Sequence, residues 1–216
     1  SLSAQAQQTW DFLDLSESIP LIEADNINWN VDKYQTDVPI QWSNNIAFTE
    51  WSTLKANGEE IPATKGLMFI GGEGKLLFAI SSKNKNYFKL NNNKAKIKIC
   101  NLKKGQKITI VGVSGSKEEP RTFTAVENLE VTSGMEPTLE EQTSEAKVMN
   151  DGDIVIGCTN AMNVYSISLS ADATGIAQTT ISKPSGNDKF YTLDGKQVKP
   201  SHKGIIIANG KKYTNK

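Results

Sequence analysis

Short segments in which apolar and polar residues alternate, separated every few positions by turn dipeptides, constrain this chain more than any other feature. "AKIKIC" (residues 95–100) places Ala95, Ile97 and Ile99 on one parity and Lys94, Lys96 and Lys98 on the other. "KLLFAIS" (75–81), "QKITIVGV" (106–113), "RTFTAVENLEV" (121–131), "GDIVIGC" (152–158) and "NVYSISLS" (163–170) read as strands by the same period of two. Asn57-Gly58, Gly71-Gly72, Lys104-Gly105, Gly112 to Gly115 and Asp151-Gly152 supply the turns between them. Many short strands at such spacing predict an all-β fold, an antiparallel jelly-roll-like β-sandwich. No strand–helix–strand rhythm points to a parallel sheet. Helical candidates are two: "SESIPLIEAD", one short turn capped by Ser16 and limited by Pro20, and "TLEEQTSEAKV" (138–148), which reads equally as a loop.

The texture changes near residues 170–172. "ADATGIAQTTISKPSGNDK" has the small, polar, Gly- and Pro-containing composition of a linker. Beyond it, Asp194-Gly195 and Asn209-Gly210 predict two hairpins, Tyr191–Val198 and Gly204–Thr214. The organisation expected is a residual signal-peptide end or disordered stretch at 1–6, a β-sandwich at 7–170, a linker at 171–188 and a β-hairpin module at 189–216. A unit as small as the last buries too little to stand alone; docking on the sandwich through Tyr191, Leu193, Val198, Ile205 and Ile207 is expected of it.

Charge narrows the function classes. The 24 basic and 24 acidic residues cancel, which makes nucleic acid a poor partner. The balance conceals blocks: nearly every charge before Pro62 is acidic, and every charge from Lys75 to Lys117 is a lysine. Packed strands could bring these blocks together, or the lysines could form an anion-binding face. Along "SSKNKNYFKLNNNKAKIKIC" the two readings become concrete. Lysines discourage pairing at an exposed strand edge, or they hold an acidic polysaccharide such as a uronan. No run of apolar residues approaches a membrane span. Ala4-Gln5-Ala6 has the small-x-small form of a signal-peptidase site.

Catalytic constellations are missing. The single histidine, His202, lies in the tail, and "GGEGK" (71–75) lacks the spacing of a phosphate-binding loop. No catalytic residue is assigned. Asp11, Glu23 and Asp25 could supply oxygen ligands to calcium, although solvated carboxylates are the simpler explanation of them. Two cysteines, Cys100 and Cys158, permit one disulfide, and Cys100 falls on the lysine parity of its strand. All four tryptophans lie in the first quarter of the chain. Trp29, Tyr34, Trp42 and Trp51, joined by Tyr87 in the lysine block, sit among Asn, Asp, Ser and Lys, as aromatics that stack on sugar rings do. The competing reading caps the sandwich core with them, and Trp10 in "TWDF" is expected in the core.

Two stretches resemble known exported proteins. "ATGIAQ…FYTLDGKQVKPSHKGIIIANGKKYTNK" is similar to the C-terminal module of the Por (type IX) secretion system sorting-domain family. The likeness is carried by Thr174-Gly175-Ile176, Tyr191 to Val198 and Lys203 to Lys212. "QTWDFLDLSE…LIEADNINW…LKANGEEIPATKGLMF" resembles a galactose-binding-like jelly roll of the kind found beside pectate lyases. Trp10-Asp11-Phe12, Asn57-Gly58 and a strand at Thr64 to Phe69 carry that likeness. The resemblances imply export to the outer surface, extracellular space or periplasm, and non-catalytic association with a glycan. A polysaccharide lyase or glycoside hydrolase, and a structural protein of the cell surface, are the alternatives.

Overall fold

A computed structural model describes residues 7–32, 40–44, 48–71, 76–80, 85–171, 189–192, 195–199, 204–208 and 211–215. The chain divides into two units, Ser1–Thr174 and Gly175–Lys216.

The first unit is an antiparallel sandwich. Its elements are β1 (Gln8–Asp11), α1 (Ser18–Ala24), β2 (Trp29–Asp32), β3 (Ile40–Asn44), β4 (Lys55–Ala56), β5 (Glu59–Glu60), β6 (Leu67–Ile70) and β7 (Leu76–Ile80). They continue with β8 (Tyr87–Leu90), β9 (Lys96–Leu102), β10 (Lys107–Ser114), β11 (Phe123–Glu127), β12 (Leu129–Ser133), β13 (Gln142–Val148), β14 (Gly152–Cys158) and β15 (Met162–Leu169). One nine-stranded sheet runs β12-β13-β10-β15-β8-β7-β3-β2, with β1 also on β15, and a four-stranded sheet runs β11-β14-β9-β6. The pairs β8·β15, β9·β14 and β10·β13 are three rungs of one long hairpin. That hairpin is rolled so that successive strands fall mostly in opposite sheets, which is jelly-roll topology. The fourth rung opens, because β12 joins β13 instead of β11.

Asn128 explains the opening. "RTFTAVENLEV", expected as one strand, breaks there into β11 and β12, with Asn128 at φ 58°. Asparagine tolerates the left-handed region better than most residues. Its Nδ2 donates to the carbonyls of Asn150 and Asp153 at 2.8 and 3.0 Å, which pins the corner to the β13–β14 turn.

The core lies between the sheets. Phe88 of β8 touches Phe69 of the opposing sheet at 5.3 Å between ring centroids, Phe78 at 5.0 Å and Phe12 at 5.3 Å. Ile97, Ile99, Ile154 and Ile156 face Ile108, Ile110, Val164 and Ile167 in the same cluster. Trp10 is buried as expected, and its Nε1 donates to the Lys65 carbonyl at 2.7 Å.

Several local expectations are corrected. Residues 142–148 form strand β13, because Gln142, Ser144, Ala146 and Val148 are all buried on one parity. Small and amide side chains disguise that alternation in the sequence. Helix α1 forms at Ser18–Ala24, with Glu17 as its first flanking residue. Ser16 does not cap it; its backbone N–H and Oγ both donate to Asp14 Oδ1. Pro20 sits in the first turn, where no backbone donor is needed. Pro62–Thr64 is a 3₁₀ turn, so the strand expected from Thr64 is β6, starting at Leu67. Gly112 belongs to β10 at a register shift against β15 and is no turn.

The second unit merges its two hairpins into one sheet. β16 (Phe190–Tyr191) pairs with β17 (Gln197–Val198) and with β18 (Gly204–Ala208), which pairs with β19 (Lys211–Asn215). Gly195 takes φ 82° in the first turn, and Asn209-Gly210 lies outside the described residues. Of the side chains expected to pack, Tyr191, Val198 and Ile207 are half-buried, Ile205 is exposed, and Leu193 lies outside the described residues. Phe190 is the buried one.

Candidate functional site

Strand parity disperses the aromatic set that the sequence groups together. Trp29 is 1% exposed, and its Nε1 donates to the Lys55 carbonyl at 3.0 Å. Its ring lies 5.7 Å from Phe78. Trp42, paired with Phe78 across β3 and β7, is 2% exposed. Tyr87 is 9% exposed; Gln41 Nε2 lies 3.4 Å from its hydroxyl, and burial pushes its pKa up. None of these three rings presents a face to a sugar, so the stacking expected of Trp29, Trp42 and Tyr87 is corrected to a packing role. Polar neighbours in sequence are a poor guide here, because an alternating strand places them on the opposite face. Tyr34 lies outside the described residues.

Trp51 differs. It precedes Ser52, which exchanges backbone hydrogen bonds with Phe69 at 2.9 and 2.7 Å, while Gly71 N–H donates to the Phe48 carbonyl. The segment 48–52 therefore runs along the otherwise open side of β6 and leaves Trp51 half-buried. Lys98 Nζ stands 4.4 Å from the indole centroid.

Around this pair lies the outer face of the four-stranded sheet. β9 turns Ile97 and Ile99 inward and Lys96, Lys98 and Cys100 outward. Met68 is opposite Lys98 and Ile70 opposite Lys96 on β6. On the other side Lys98 is opposite Val155, which points outward yet is only 2% exposed. Next to this row a cleft of about 430 Å³ is lined by Phe48, Thr49, Ile70, Asn93, Lys94 and Lys96. Its walls are apolar side chains, a hydroxyl, an amide and amines, without a carboxylate.

The position of β9 removes the edge-guarding reading of its lysines. The strand pairs with β14 on one side and β6 on the other, so Lys96 and Lys98 guard no edge. Elsewhere cations meet acids: Lys103 with Asp151 at 3.0 Å, Lys107 with Glu145, Lys85 with Glu141 and Arg121 with Glu119, the last three at 2.5 Å. Lys96 and Lys98 have no carboxylate partner among the described residues. Glu127, opposite Val155, is an acid two strands away in the row of Lys98, and on the adjacent strand Asp153 Oδ1 accepts the Asn101 N–H at 3.0 Å.

The cysteines are not joined. Ile154 faces Ile99 and Ile156 faces Ile97, so Cys158 lies level with residue 95 and Cys100 level with residue 153. Five residues of offset along a strand is roughly 16 Å, far beyond disulfide reach. Burial raises the Cys100 thiol above its usual pKa, with Asp153 adding to it, and pushes Cys158 up to about 12. Neither is a thiolate nucleophile at neutral pH.

The acidic residues considered for calcium do not converge. Asp25 is buried, and its carboxylate accepts N–H groups from Asn28 and Asn57, the latter at 2.8 Å. Those bonds hold its pKa below the ordinary value. Asp11 and Asp14 line a separate cleft of about 330 Å³ with Glu17, and both accept local N–H groups. Among the described residues no group of three or more His, Cys, Asp or Glu is placed to hold a metal. His202 lies outside the described residues. Among the described residues no helix is long and apolar enough to cross a membrane. No protein-family model matches this chain, and a search of curated proteins returns no match to it.

Proposed function

We propose that the protein is an exported, non-catalytic module that attaches to a carbohydrate through the outer face of its four-stranded sheet, and that its C-terminal unit serves Por-type sorting. One observation carries the glycan reading: Trp51, alone among the described candidate aromatics, is only half-buried, and it stands against the Lys98 amine on the sheet face whose cleft is lined by Phe48, Ile70 and polar side chains. An aromatic face for the C–H side of a sugar and polar groups for its hydroxyls are the parts such recognition needs. A hydrolase or lyase is the weaker reading, since the cleft lining contains no carboxylate pair. A protein-attachment role draws on Met68, Ile70 and the exposed Val126 of the same sheet. Affinity electrophoresis on plant and host polysaccharides tests the proposal. Retardation that Trp51→Ala abolishes is expected; no retardation on any glycan overturns it.

A further inference from the structure

Resting on that glycan reading, we infer that the ligand is a polyuronate, a glycan whose rings carry carboxylates, and that Lys98 leaves the Trp51 ring to admit it. Lys96 and Lys98 lie two residues apart on one face of a strand paired on both sides, at about 7 Å spacing. A polymer with a charge on successive rings meets both amines, whereas a single small anion meets one. Met68, Ile70, Val155, Gly157 and Thr124 fill the neighbouring outward positions, and Glu127 of β11, opposite Val155, is an acid two strands away in the row of Lys98. Gly157 has a particular place in it. A Cβ there would lie 3.0 Å from Thr124 Oγ1 and from Val126 Cγ2, and 3.6 Å from Lys96 Cγ. The absence of a side chain at that position keeps the sheet shallow beside Lys96.

Lys98 occupies the Trp51 ring in the free protein. A cation–π contact at an exposed site is weak, so an incoming carboxylate can draw the amine away. The ring is then uncovered for the sugar that carries the charge. Charge and stacking thereby come from one rearrangement, which a neutral glycan does not drive.

The probe pair is a size-matched polygalacturonate and its methyl ester, the same sugar with and without charge. Acrylamide quenching of tryptophan emission reads the site directly, because Trp10, Trp29 and Trp42 are all buried and Trp51 dominates the signal. The acid is expected to bind about tenfold more tightly than the ester, the combined effect of two exposed charge pairs. It should shelter Trp51 from quencher. The preference should vanish in the Lys96→Gln/Lys98→Gln protein and at high salt, and persist in Lys103→Gln, whose amine pairs with Asp151 elsewhere. Equal binding of acid and ester overturns the polyuronate inference and leaves the glycan reading intact. Binding of neither overturns the polyuronate inference, and the glycan reading is then decided by the electrophoresis on the wider set of polysaccharides. Circular dichroism of each variant separates lost binding from lost fold.

Discussion

Phe88 is the side chain through which the sandwich is most directly tested. It is fully buried, and its ring contacts Phe12, Phe69 and Phe78 at 5.0 to 5.3 Å. These partners belong to the N-terminal segment, the opposing sheet and the neighbouring strand. Truncating a buried phenylalanine to alanine costs about 3–5 kcal/mol. Each well-formed aromatic pair carries about 0.5–1.5 kcal/mol of its own, so three lost pairs place Phe88→Ala near the top of that range. For a unit of this size each kcal/mol moves Tm by roughly 2–4 °C, giving a fall of about 8–20 °C. Phe88→Leu retains most of the volume and should cost about 1–2 kcal/mol, which keeps a measurable folded state if the alanine protein does not fold. Urea denaturation followed by far-UV circular dichroism supplies both values. A loss below about 1 kcal/mol for alanine, or equal losses for leucine and alanine, would refute the packing described.

Three further outcomes follow from specific geometry. Gly112→Ala would place a Cβ 2.4 Å from the Asn163 carbonyl oxygen and 2.7 Å from Phe123 Cζ; a fall in stability of about 1–3 kcal/mol or more is expected in thermal unfolding, and an unchanged Tm would contradict the β10–β15 register. Thiol titration without reductant should find two free thiols after denaturation and very slow labelling of Cys158 in the folded protein at pH 8; finding none would show a disulfide. Asp25 has a pKa lowered from 3.8, chiefly by the Asn57 N–H. Its contribution is therefore present above the unfolded-state pKa and is lost as pH falls through the lower folded value. Asp25→Asn should flatten that part of the acid limb of a stability–pH curve, and an unaltered limb would show that the carboxylate does not anchor the Asn57 turn.

The fold was legible wherever one strand parity was apolar. β9 and β10 follow their sequence alternation closely, and the Asn57-Gly58 turn takes positive φ at both positions, whereas β15 changes parity at Tyr165, where its register against β10 shifts. β13 was hidden because its buried positions are Gln142, Ser144 and Ala146, held by hydrogen bonds such as Thr122 Oγ1 to Gln142 Oε1 at 2.9 Å. A polar side chain with a partner inside looks the same in sequence as one facing water. The candidate site was legible only in part. Lys96, Lys98 and Trp51 are visible as residues, but their meeting depends on segment 48–52 pairing beside β6 and on β6 pairing with β9. No local pattern encodes those long-range pairings. The same limit misled the reading of Trp29 and Trp42, whose polar neighbours point to the other face of their strands.

The claim that the outer face of the four-stranded sheet recognises an acidic glycan is met most directly by NMR titration with polygalacturonate oligomers. The methyl signal of Met68, the indole of Trp51 and the amine-bearing carbons of Lys96 and Lys98 should shift together, with one shared dissociation constant. The buried indoles of Trp29 and Trp42 should stay unmoved. Shifts confined to other surfaces, or saturation with those four residues silent, would contradict it.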